Sequence, residues 1–368
     1  MTVTNSNVIL FPSSATLNEL ARLGPQEAST LIVADEPPQL ESRWLTPEAF
    51  IASDEPEQSR RWYCDNETSV YFAARHRDRC PWLAFGQLCL NTLTKLELGH
   101  ALESIQLPVL HKTPITSYCD DPDYPVVAKP NFGFASCFVK RADSRTDLQN
   151  HAARFAREWA LSPLASYAMR FFPKSRESEL KQLVLERCVT HATVLNAALV
   201  VHDRTLVDLH LVFGDVTEAT ISSDFQWRGF RYSGLVPREL HERSWRIAQS
   251  LVTFFNLSSC VAEAELLYDA QSQELYVMEF SPRVIGGSLA VLVEHGTGVN
   301  LRQVALKLFF QGQADWSRTR SRDCAIRLRL GDRPTIPANT RPIFWMERNV
   351  EGLASTVSEV LYEPAAGS

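Results

Sequence analysis

Residues 260–287 constrain this chain more than any other stretch. Val261, Glu263, Glu265 and Leu267 fall on alternate positions, so a strand puts them on one face. Residues 269–273 are polar and read as a turn. Residues 275–280 are apolar or aromatic apart from Glu279 and suit a return strand. A carboxylate at the end of an apolar strand is costly to bury unpaired. Glu265 and Glu279 on neighbouring strands repel each other unless a cation lies between them. Hard carboxylate oxygens suit Mg2+, which takes one or two carboxylates together with substrate phosphates. Arg283, Gly286 and Gly287 follow closely, so the hairpin reads as a place to hold a divalent cation beside an anion. A surface hairpin with solvated glutamates carries the same pattern, and the hairpin alone leaves both readings open.

The rest of the sequence narrows the class. With 368 residues, 45% of them hydrophobic and 22% charged, the chain can bury large cores in two or three domains. A net charge of −6 without a long basic run argues against a nucleic-acid partner. No run of apolar residues is long enough for a membrane span, and the N-terminus lacks a basic leader, so a cytoplasmic protein is expected. The 8 cysteines are scattered without C-x-x-C, and the histidines form no close cluster with them, which excludes a zinc-ribbon or disulfide framework.

Taken in order, residues 8–34 read strand, helix, strand, the signature of a parallel α/β unit without a G-x-G-x-x-G fingerprint. Residues 35–60 read as a loop carrying a short helix at 47–52, and residues 72–79 as a helix. Residues 91–106 form a further helix that Pro108 stops, which marks a domain boundary. Lys129 ends a strand before a loop carrying Gly133 and Ser136, where charge and backbone N–H groups can hold phosphate. A surface hairpin with a solvated lysine fits equally. Residues 143–161 are an amphipathic helix, 162–179 a connector, and 181–189, 194–202 and 206–213 strands. Arg228 and Arg231 interleave with aromatics and suit a packed strand edge or an anion site. Residues 237–255 are a helix with one buried face. Beyond the hairpin come two helices, a strand at 324–330, a proline-rich stretch, and a short helix at 353–361.

These motifs, in this order, resemble the ATP-grasp superfamily over residues 90–312. Lys95 matches the ATP-contacting lysine before the lid. Val127-Ala128-Lys129-Pro130 with Gly133 and Ser136 matches the lid strand and its loop. Glu186-Arg187-Cys188-Val189 matches the hinge beside adenine. Glu265 and Glu279 match the metal carboxylates, and Glu279-Phe280-Ser281-Pro282-Arg283 the E-x-N-x-R motif, with serine where the family usually has asparagine. Gly286, Gly287 and the following T-G-V-N-L are similar to the carboxylate–amine ligase branch, which includes L-amino-acid and dipeptide ligases.

The resemblance implies an α/β (α+β) ATP-grasp protein. Its parts would be an N-terminal parallel α/β domain (1–108), a small α+β lid (109–188) and a larger antiparallel α+β domain (189–368), with ATP between the last two. It implies ATP and Mg2+ (or Mn2+) as cofactors and small carboxylate and amine substrates, no nucleic-acid or membrane partner, and a chain that can form a homodimer. Metal would sit on Glu265, Glu279 and Ser281. ATP would meet Lys95, Lys129, Gly133, Ser136, Glu186, Arg187 and Val189. Arg283 and Arg231 would act as catalytic cations, and Arg228, Gly286 and Gly287 would face substrate. The reaction implied joins a small amino-acid or natural-product acid to an amine through an acyl phosphate, releasing ADP and phosphate. A ligase acting on a peptide or protein terminus, or a nucleotide-binding protein without turnover, are the alternatives.

Overall fold

The computed structural model describes residues 7–23, 30–38, 43–54, 56, 61–79, 94–115, 122–133, 137–214, 229–330, 340–349 and 356–364. Three sheets organise them. The first is parallel, in the order β3-β2-β1-β4, from β1 (Asn7–Leu10), β2 (Thr30–Val33), β3 (Arg43–Leu45) and β4 (Arg61–Cys64). Helix α1 (Ser14–Leu23) joins β1 to β2, α2 (Pro47–Ala52) joins β3 to β4, and α3 (Glu67–Arg75) follows β4. Strand β2 is buried at every position, as in a parallel sheet covered on both faces. Helix α4 (Lys95–Ser104) leads out of this region.

The second sheet is small and antiparallel, in the order β5-β8-β6-β7, from β5 (Thr113–Pro114), β6 (Val126–Pro130), β7 (Lys140–Ala142) and β8 (Leu183–Arg187). Helices α5 (Arg145–Glu158), α6 (Pro163–Phe171) and α7 (Glu177–Leu180) fill the long connection between β7 and β8. Val126, Ala128, Ala142 and Leu148 pack on one face of the sheet, which leaves Val127, Lys129, Val184 and Glu186 on the other.

The third sheet has eight strands in the order β13-β12-β9-β10-β11-β14-β16-β15. They are β9 (Ala192–His202), β10 (Thr205–Gly214), β11 (Gly229–Tyr232), β12 (Cys260–Asp269), β13 (Leu275–Ser281), β14 (Cys324–Leu330), β15 (Thr340–Asn349) and β16 (Thr356–Pro364). Leu195, Leu199, Ala262, Ala264 and Leu266 of one face pack on Leu240, Ile247 and Leu251 of α8 (Arg238–Phe254). Ala198, Val200, Val212 and Tyr232 of the other face pack on α9 (Leu289–Thr297) and α10 (Leu301–Gln311). The edge of this sheet at β13 meets the chain just after α4, where the Val277 N–H donates to the Pro108 carbonyl (2.8 Å). Among the described residues no helix is long and apolar enough to cross a membrane, and Cys188, Cys260 and Cys324 form no disulfide.

Two local expectations fail. The connector at 162–179 contains α6 and α7. Ser162 caps α6 by accepting from the Ala165 N–H, with Pro163 at the first helical position, and Leu164, Ala168 and Phe171 are buried. The helix expected at 353–361 is instead strand β16 over its described part, because β14 and β15 pair with it on both sides. Residues 351–355 lie outside the described residues.

Candidate active site

Glu265 stands directly opposite Glu279 in the β12–β13 pairing, and Glu263 opposite Ser281. Residues directly opposite in an antiparallel pair share a face. Strict alternation would have put Glu279 elsewhere. Val277 and Phe280, three positions apart, both sit in the core on the α8 side. The reversal between them is a bulge: Glu265 pairs with Glu279 but Leu266 pairs with Val277, so Met278 has no partner. Leaving Met278 out of the ladder keeps Glu279 and Ser281 out of the apolar core, on the face that carries Glu263 and Glu265.

The surroundings push the two paired carboxylates in opposite directions. Burial raises the Glu265 carboxyl, and Glu279 and Glu263 raise it further, up to about 8 against the pull of Lys129 and Lys95. Burial acts on Glu279 in the same direction, but Lys95, Lys129 and Lys112 outweigh it and hold its carboxyl below the ordinary range. The Glu279 side chain keeps 42% of its exposure although protein surrounds it, as expected of a group on a cleft wall. Among the described residues no three His, Cys, Asp or Glu side chains form a ready-made metal cage. Two facing carboxylates, with the Ser281 hydroxyl on the same face, still fit Mg2+, which needs only one or two carboxylates from the protein.

Because its native pKa lies above the ordinary value of ~4.3, Glu265 keeps a proton that the unfolded chain releases between roughly pH 4.3 and 8. The unfolded state therefore binds fewer protons in that window, and the contribution of Glu265 to stability falls as pH rises through it. Without divalent metal, Glu265→Gln is expected to raise the thermal midpoint relative to the parent more at pH 8.5 than at pH 4.5. Melting curves in chelator check this, and an equal difference at both pH values would contradict it.

Lys95 is the first residue of α4, where a cation opposes the helix dipole. Its position answers to other groups: Nζ lies 3.1 Å from Glu279 Oε1 and donates to the Gly133 carbonyl (2.8 Å). Asn131, just past the end of β6, caps the helix by accepting from the Lys95 N–H through its carbonyl (2.8 Å) and from the Leu96 N–H through Oδ1 (3.0 Å). Gly133 backs onto α6, where a Cβ would stand 3.2 Å from Leu164 Cδ2. Lys129 on β6 pairs with Glu186 on β8 at 2.6 Å, with 4% of each side chain exposed. The sequence reading missed Lys112, which is buried near both lysines and near Glu186 and Glu279.

Arg283 is held fast. Its Nη1 lies 2.5 Å from Glu263 Oε2 and donates to the Val284 carbonyl (2.9 Å), while Nη2 bonds to Glu67 at the start of α3. Burial opposes the guanidinium charge, but Glu67 and Glu263 together raise its pKa further. Only Nε is left without a partner. Gly286 lets the arginine close in, since its Cβ position is 3.3 Å from Nη1, and its backbone also bonds to Glu263. Gly287 has φ +56°, where glycine is favoured. Glu67 carried no sequence signal beyond its place behind a capping asparagine, and Glu263 was read only as sharing the strand face.

The remaining expected residues scatter. Arg231 is exposed and lies across the sheet from Phe213, Leu195 and Leu266, on the face opposite Glu265. Its neighbour Tyr232 occupies the inner face, so alternation sends Arg231 outward, over the Phe213 ring (5.5 Å). It does not join the carboxylates. Arg187 is exposed, with Nη2 3.1 Å from the Tyr276 hydroxyl, and half-buried Val189 lies in the link from β8 to β9. Ser136 and Arg228 lie outside the described residues.

No family model and no curated protein sequence matches this chain. Solved structures do. The L-amino acid ligase from Bacillus licheniformis superposes with a TM-score of 0.69 at 14% identity, covering 100% of this chain and 95% of that one. The ADP complex of purK, N5-carboxyaminoimidazole ribonucleotide synthetase, gives 0.65 at 12% identity over 97% of this chain and 92% of that one. The biotin carboxylase domain of the Hydrogenobacter thermophilus 2-oxoglutarate carboxylase, in complex with MgADP, ADP and bicarbonate, gives 0.64 at 11% identity over 98% and 86%. Parallel N-terminal sheet, small antiparallel sheet and large antiparallel sheet together make this an α/β protein with the ATP-grasp fold.

Proposed function

We propose that this protein is an ADP-forming carboxylate–amine ligase acting on a small amino-acid or natural-product acid. The observation that carries the reading is the meeting of Lys95 and Lys129 with the Glu265–Glu279 pair, where residues of the small antiparallel sheet come near those of the large one. The likeness in fold to an L-amino acid ligase supports the substrate class. The domain division at 108/109 and 188/189 belongs to the same reading.

Phosphoryl transfer asks a protein chiefly for positioning and charge stabilisation. A substrate carboxylate attacks the γ-phosphorus of ATP, ADP leaves, and an acyl phosphate results. An amine then attacks the acyl carbon, phosphate leaves and the amine sheds a proton. Lys95 and Lys129 hold phosphate oxygens, and Glu186, Arg187 and Val189 border adenine. Mg2+ or Mn2+ on Glu265, Glu279 and Ser281 would neutralise charge on the phosphates. Arg283, with Gly286 and Gly287, frames the acyl end, and Arg228 is assigned to substrate. The seating of Arg283 between two carboxylates favours one other reading, a nucleotide-binding protein without turnover.

The test is release of ADP and phosphate from ATP and Mg2+ over a matrix of amino-acid pairs, with products weighed by mass spectrometry. The expected result is ADP release that depends on both partners, with an amide product. AMP and pyrophosphate would overturn the acyl-phosphate route. Nucleotide binding without turnover on any acid would favour the second reading.

A further inference from the structure

The two lysines assigned to phosphate both have carboxylate partners: Lys95 with Glu279 at 3.1 Å and Lys129 with Glu186 at 2.6 Å. Lys112 differs. It is 5% exposed, yet no acceptor for its ammonium is found among the described residues. A lysine so deeply placed is costly unless it meets an anion.

Its position is fixed from two sides. In the β5–β8 pairing Thr113 stands opposite Leu185, so the next step brings Lys112 beside Glu186, on the face that carries Lys129. Its stem runs along α4 at Gly99, whose Cβ position is 3.5 Å from Lys112 Cδ and 3.6 Å from Nζ. That is one helical turn from Lys95. The ammonium nitrogen is not completely sealed, so the stem is enclosed while the tip keeps a small opening. Burial, then the charge of Lys129, brings its pKa down to about 8, while Glu186 and Glu279 oppose the fall. Glu186 does not neutralise it, since Lys129 already occupies that carboxylate.

We infer that Lys112 is a third nucleotide-binding cation, which takes a phosphate oxygen of the bound nucleotide while Lys129 stays paired with Glu186. This rests on the ATP-dependent reading above. Lys95 and Lys129 meet an incoming phosphate with a donor already committed to Glu279 and Glu186 respectively, and with their charge partly offset. Lys112 meets it with no carboxylate committed to it among the described residues.

Calorimetric titration of adenosine, ADP and a non-hydrolysable ATP analogue into the full chain tests this, with Lys112→Met and Lys112→Arg beside the parent. Methionine keeps the stem and removes an unpaired buried charge, so this variant should melt no lower than the parent. Lys112→Met is expected to bind adenosine as the parent does, but ADP and the analogue about 10- to 100-fold more weakly, the range for a lost charged hydrogen bond. Lys112→Arg should recover part of the loss. Unchanged ADP affinity, or an equal loss for adenosine and ADP, overturns the role of Lys112 while leaving the ligase reading in place. A parent protein that binds none of the three overturns both.

Discussion

Glu279→Ala is expected to reduce substrate-dependent ADP release by a factor on the order of 1,000 while leaving the fold intact; single electrostatic contacts to transferring groups are commonly worth about 100- to 1,000-fold. Glu279 is the better probe of the proposed metal site because its removal leaves little stranded. Its carboxylate is 42% exposed, and its partner Lys95 keeps the Gly133 carbonyl as acceptor. Glu265 gains from the change, since one of the charges that raise its pKa disappears. Lys129→Ala would be harder to interpret. It breaks a pair whose side chains are each 4% exposed, and breaking such a pair costs about 3–5 kcal/mol, an effect on stability that would mix with any effect on activity. The measurement is ADP release under saturating ATP and Mg2+, with a melting curve for each protein. A folded Glu279→Ala protein that keeps activity within a few-fold of the parent would remove Glu279 from the site.

Arg283→Ala is expected to destabilise the protein by about 3 kcal/mol, the lower end of the range for breaking a buried ion pair. The arginine side chain is 11% exposed and bonds Glu263, which is 12% exposed, and Glu67, which is 32% exposed. Its loss leaves two carboxylates facing each other, the less exposed of them already pushed up by burial. The more open Glu67 is partly screened by water, which is why the lower end applies. Urea titration measures the loss. Adding Glu263→Gln to Arg283→Ala should restore part of it, because the repulsion goes with the second charge. Wild-type stability in the single variant would show that the guanidinium does not hold these elements together. Lost activity in Arg283→Ala alone therefore says nothing of transition-state charge; only activity measured in the rescued double variant does.

What could be read in advance was local. The 260–281 hairpin announced itself by alternation and a polar turn, and the structure pairs Glu265 with Glu279 as that reading requires. Helix α8 was legible from its one apolar face. Ser162 and Pro163 also announced a helix start, and the aromatic connector drew attention away from it. What depended on distant partners was not legible. Lys112 is one lysine in a short link, and its burial comes from Gly99 on α4 and from Glu186 on β8. Arg231 was assigned by its place in a motif, but the burial of its neighbour Tyr232 decides which way it faces. Arg283 looked like a free cation because nothing near it in sequence reveals Glu67 across the fold.

The bulge at Met278 sets what kind of change this hairpin can absorb. The side chain at that position takes no part in the carboxylate pair; the residue is simply left out of the ladder. Remove it and the strand becomes regular: Glu279 then follows Val277 directly, so alternation keeps Glu279 on the wet side and Phe280 in the core. The damaging change is to flatten the bulge with Met278 still present, which sends Glu279 to the side of Val277 and brings Phe280 to the wet side. The proposed metal site thus depends on one residue staying out of the pairing, as much as on the identity of any ligand. Sequences compared with this one should be aligned across the hairpin with a one-residue gap allowed at that position.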